Sequence, residues 1–97
     1  MSLIDDFRLE DLVNESERLV LEELEAQLQG LSNSSLCSST ECVLDMAAYA
    51  LNAVRPMYRV NLMGRIYADA VSDEKRAEVK EAVSRAIEKV RRNPPQE

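Results

Sequence analysis

Apolar residues recur at helical spacing at both ends of the chain and crowd together in its middle. Leu12, Val13, Leu19, Val20, Leu24, Leu28 and Leu31 follow a three-to-four spacing, the mark of an amphipathic helix that turns one stripe to a core. Glu15, Glu22, Glu23 and Glu25 largely fall on its other face. Asn14-Glu15-Ser16-Glu17 pairs a capping residue with a Glu three positions on, so the helix is predicted to open there, or earlier near Leu9. Gly30 is predicted to end it by turning left-handed.

Leu31 to Thr40 carries five serines and no period, a loop. Ser38-Ser39-Thr40-Glu41 repeats the capping form, and a second helix is predicted from near Thr40 to near Val54. Pro56 stops it by pushing Arg55 out of the α region. Only Glu41, Asp45 and Asn52 are strongly polar in the body of this helix. It is therefore predicted to be central and buried, with Ala47, Ala48, Ala50 and Ala53 letting neighbouring backbones come close.

Beyond Pro56 the period changes. Tyr58, Val60 and Leu62 share one side of an extended chain; Gly64 permits a turn, and Arg65-Ile66-Tyr67 a short return strand. Ser72 or Asp73 caps the last helix, whose stripe is Val79, Ala82, Val83, Ala86, Ile87 and Val90. Its acids come first and its bases last, as the helix dipole prefers. Asn93-Pro94-Pro95 ends it. Residues 1–11 read as a backward helical extension through Ile4 and Phe7, an arm on a partner, or a frayed end; residues 93–97 read as a tail. The fold class expected is mainly α: one compact three-helix domain over residues 1–97, with a short extended segment or hairpin between the second and third helices.

One Phe and no Trp among 97 residues leave an aliphatic core too modest to stand easily alone. The apolar second helix then predicts a homodimer. The net charge of −6 argues against nucleic-acid binding, which needs phosphates neutralised. Residues 1–50 hold two basic and eleven acidic side chains, net −9, and residues 51–97 ten basic and seven acidic, net +3. A local anion site in the second half fits that split. The acidic N-terminus is unlike a signal peptide, and no apolar run approaches the roughly 20 residues of a membrane span. A cytoplasmic location is expected, without membrane or nucleic-acid partners. There the two cysteines should be free thiols or metal ligands rather than a disulfide. The absence of His removes the usual general base and nucleophile pairings, and no enzyme is expected.

Cys37 and Cys42 supply half of a four-ligand zinc site, which a dimer completes if both pairs face the two-fold axis; otherwise one thiol is buried and one idle. Cys42, Asp45 and Asn52 form a polar line on the second helix, a packing network or a ligand edge. Arg55, Arg59 and Arg65 bracket Tyr58 and Tyr67, in a stretch without an acid between Asp45 and Asp69. Guanidinium groups bind phosphate and stack on rings, so the set suits a nucleotide; equally, it balances the acidic first helix.

Cys37, Cys42 and Asp45, then Ala47-Ala48-x-Ala50-Leu51-Asn52, Pro56-x-Tyr58 and Gly64-x-x-Tyr67 resemble the late competence protein ComFB family. Leu12-Val13-Asn14, Glu17 and Glu23-Leu24 are similar to its opening helix. The likeness covers roughly residues 12–70. It departs at Ser39, where the family usually has a middle cysteine, and at Arg55, where it has the first of two prolines. The resemblance implies a small helical, homodimeric, non-enzymatic protein. It further implies a cyclic di-GMP receptor acting in competence or motility, with zinc at the cysteines. On that reading Arg55, Arg59 and Arg65 take phosphates or stack on guanine, Tyr58 and Tyr67 stack, and Asp45 or Asn52 reads a guanine edge or holds the segment. The alternative is a structural or protein-interaction module, with or without a zinc shared across the dimer.

Overall fold

The computed structural model describes residues 2–31, 39–60 and 71–93. It is mainly helical: α1 (Leu3–Asp6), β1 (Leu12–Asn14), α2 (Glu15–Gln29), α3 (Thr40–Ala53), β2 (Tyr58–Val60) and α4 (Asp73–Arg92). A turn of 3-10 helix at Leu9–Asp11 joins α1 to β1. The three long helices are those predicted, and α1 adds a four-residue fourth.

Asn14 and Ser72 cap their helices as predicted, and the second helix is capped by Ser39, one residue after the Ser38 that the capping form implied. Asn14 Oδ1 accepts from Ser16 N at 3.1 Å, Ser39 Oγ from Cys42 N at 3.2 Å, and Ser72 Oγ from Lys75 N at 3.0 Å. Each satisfies an amide that the first helical turn leaves without a partner, a contribution of about 1 kcal/mol. Leu12 and Val13 depart from expectation, lying in β1 rather than on the first helix. Gly30 closes α2 with φ −77, ordinary right-handed backbone in place of the expected left-handed turn.

The α4 stripe is buried in full: Val79, Ala82, Val83, Ala86, Ile87 and Val90 are each at most 5% exposed. It packs against Val20 and Leu24 of α2 and Cys42, Met46, Ala47 and Ala50 of α3, with Val54 beside them. Gln27 stitches α2 to α4, its Nε2 donating to the Lys80 carbonyl at 3.2 Å and its Oε1 accepting from Ser84 Oγ at 3.0 Å.

Helix α3 is not buried all round. Its core side is Cys42, Met46, Ala47 and Ala50, while Leu44 is 62% and Tyr49 42% exposed. Its main neighbours among the described elements are α2 and α4, and two neighbours on one side cover half a cylinder.

The extended segment after Pro56 is present as β2, but it pairs antiparallel with β1: Leu12 lies opposite Val60, Val13 opposite Arg59 and Asn14 opposite Tyr58. The expected return at Arg65–Tyr67 lies outside the described residues. No described helix is long and apolar enough to cross a membrane.

Candidate functional site

The site begins with what holds Arg55-Pro56-Met57 in place. This segment has no regular structure, so its backbone groups need partners from elsewhere. Arg55 N donates to Glu78 Oε2 of α4 at 3.1 Å. The Arg55 carbonyl accepts from Ser16 Oγ at 2.6 Å and from Lys75 Nζ at 2.6 Å. Met57 N donates to Asn14 Oδ1 at 2.8 Å, and Glu15 N to the Met57 carbonyl at 2.7 Å. Lys75 and Glu78 pair at 3.1 Å. The junction is thus clamped from both flanks, by the start of α2 and by the first turns of α4. The Arg55 amide, aided by Lys75, holds the Glu78 carboxyl below the ordinary Glu range.

Beside the clamp lies a group that sequence reasoning misplaced. Glu15, expected on the solvent face, is buried at 2% exposure. Its Oε2 accepts from Arg18 Nη2 at 2.8 Å and Nε at 3.2 Å, while Oε1 is buried without a hydrogen-bond partner. The Arg18 hydrogen bond outweighs burial and, with the charges of Arg18 and Arg59, lowers the carboxyl's pKa. Arg18 at the following turn was the available sequence signal. A helical Glu with Arg three residues on forms a pair wherever it sits, so that signal does not reveal burial.

The clamp delivers β2. Residues along a strand alternate between faces, and here Tyr58 (65%) and Val60 (53%) are exposed together with Leu12 (56%), whereas Arg59 is half-buried on the other face, toward Glu15. Arg55 is exposed. Tyr58 thus presents a ring outward from a rigidly held base, flanked in sequence by two arginines. Arg65 and Tyr67 lie outside the described residues.

Two open clefts adjoin the region. One, about 490 Å³, is lined by Arg55, Pro56, Met57, Ser72, Glu74, Lys75 and Glu78, two cations against two carboxylates. The other, about 500 Å³, runs along α2 past Glu17, Glu22 and Glu25 with Arg18 alone opposing them. Neither cleft attracts phosphate by charge; the outer face of β2 offers instead the exposed ring of Tyr58.

The predicted polar line divides. Cys42 points into the core at 0% exposure, while Asp45 and Asn52 are exposed, so they do not form one buried network. Cys42 is disulfide-bonded, which corrects the expectation of a free thiol there; Cys37 lies outside the described residues. A disulfide sulfur is not the thiolate that zinc needs. Among the described residues no group of three or more His, Cys, Asp or Glu is placed to hold a metal ion.

No curated protein and no solved structure matches the chain. The family model for late competence development protein ComFB matches residues 13–94, taking in β1 from its second residue, all three long helices and the clamped junction between them. The chain belongs to the ComFB family.

Proposed function

We propose that this chain is a homodimeric, non-enzymatic binding module of the cytoplasm that takes a cyclic dinucleotide of the cyclic di-GMP kind, in control of competence or motility. The observation that carries the reading is Tyr58, a ring 65% exposed on a strand fixed by the junction clamp, with Arg55 and Arg59 on either side in an acid-free stretch. Tyr58 stacks on a base. Arg55, joined by Arg65 and Tyr67, supplies phosphate contacts and further stacking, while Arg59 braces the strand from its other face, its charge acting on Glu15. Isothermal titration with cyclic di-GMP tests it. Heat of binding should appear and fall at least about tenfold in affinity, about 1.4 kcal/mol, for Tyr58→Ala and for Arg55→Ala. No heat with tens of micromolar protein removes the reading.

A second reading, a protein-interaction module, is favoured by the apolar outer side of α3, where Leu44 and Tyr49 face solvent. It predicts no ligand heat, and a chain whose α3 face is taken by another protein in place of a second copy.

A further inference from the structure

We propose that two copies of this chain pack α3 against α3 in antiparallel fashion, across a two-fold axis beside Ala48 and Tyr49, with Asp45 of each copy hydrogen-bonded to Asn52 of the other. The inference rests on the homodimer reading above and gives it a surface and a register. The outer side of α3 carries Leu44, Asp45, Ala48, Tyr49, Asn52 and Ala53, with Glu41 one turn before Asp45, every one exposed, and Leu44 at 62% is among the most exposed apolar side chains of the protein.

A two-fold pair meets its own image, so the surface must complement itself. This one does. Asp45 and Asn52 are seven residues apart, two turns along one face. They are equidistant from the Ala48-Tyr49 midpoint, three residues before Ala48 and three after Tyr49. Antiparallel packing about that midpoint sets each carboxylate, which only accepts, against an amide that donates. Parallel packing would set Asp45 against Asp45, like charges facing each other.

Ala48 at the crossing lets the two backbones approach, and Leu44 and Tyr49 flank it with apolar area to bury. Antiparallel alignment also opposes the two helix dipoles favourably. A different protein in this place would need none of this internal symmetry; a second copy requires it.

Sedimentation equilibrium of the full chain tests the assignment. Wild type should be dimeric at micromolar concentration. Asn52→Asp sets two carboxylates together at each end and should weaken dimerisation at least about tenfold. Exchanging the pair, Asp45→Asn with Asn52→Asp, should restore it to within about threefold of wild type. Ala48→Arg, at the crossing, should give monomer. All these positions are exposed in the protomer, so the helical circular-dichroism signal should persist in each variant. A wild-type dimer indifferent to Asn52→Asp, or a swap that fails to recover, overturns the pairing while leaving the homodimer reading in place. A monomeric wild type overturns both.

Discussion

Single residues at the ends of α2 show how differently similar-looking positions behave. Asn14 Oδ1 holds two amides at once, Ser16 N and Met57 N, so Asn14→Ala removes both a helix cap and the anchor of the junction. The expected loss is about 1–3 kcal/mol in a urea melt; a change under about 0.5 would show that the second bond contributes nothing. Gly30 behaves oppositely. Its φ is ordinary, and an added Cβ would meet the Gln27 carbonyl oxygen at 3.6 Å, normal contact distance. Gly30→Ala should therefore be neutral or stabilise by about 0.4–1 kcal/mol through the unfolded chain, and a clear destabilisation would contradict that.

Glu15 and Glu78 contribute to the acid limit of the fold. Arg18 chiefly lowers the first carboxyl and the Arg55 amide chiefly lowers the second. A group whose pKa is depressed on folding contributes fully above its unfolded value, about 4.3, and the contribution disappears as pH falls through the folded value. Thermal melts should be insensitive to these two groups above about pH 5 and decline below about pH 4.3. Glu78→Gln should flatten that decline, and an unaltered acid limb in the variant counts against the assignment.

At the level of elements, the long helices were legible because their signals are local: a cap, a stripe and a stop all lie within one segment. The α4 stripe is buried at each of its predicted positions. What was not legible is partnership. Nothing near Tyr58 specifies that its strand pairs with Leu12–Asn14, since strand pairing is set by register with a distant segment. The same gap misled the reading of α3. An apolar composition gives how much surface seeks cover, not which neighbour supplies it, so Leu44 and Tyr49 emerged on the outside. The core side is sharper: Met46 is fully buried, and Met46→Ala should cost about 2–5 kcal/mol. A smaller loss would mean the neighbouring helices collapse into the space.

At the scale of the whole molecule, the acidic front half and the basic back half meet electrostatically at Glu15, whose carboxyl feels the charge of Arg59. Much of the ion pairing stays within a helix, as in Arg18 with Glu22 and Arg85 with Glu81, pairs that contribute little individually. The candidate ligand residues were legible as a composition, yet their geometry was not. The alternation of β2 sends Tyr58 and Arg59 to opposite faces, and the clamp that orients them draws on Asn14, Ser16, Lys75 and Glu78, far away in sequence. If the working unit is a dimer, folding and association are linked: the melting temperature should rise with protein concentration, and a concentration-independent value marks a self-sufficient monomer.

The junction clamp carries one last consequence, for amide hydrogen exchange. The N–H groups of Arg55 and Met57 lie in coil, where exchange is ordinarily fast, yet both are given to side chains anchored on other elements, Glu78 of α4 and Asn14 at the head of α2. Release of either amide requires its acceptor side chain to swing aside or the element that carries it to come away. These two protons therefore report on the clamp rather than on the segment alone. Met57 should lose its protection selectively in Asn14→Ala, while Arg55 keeps its own.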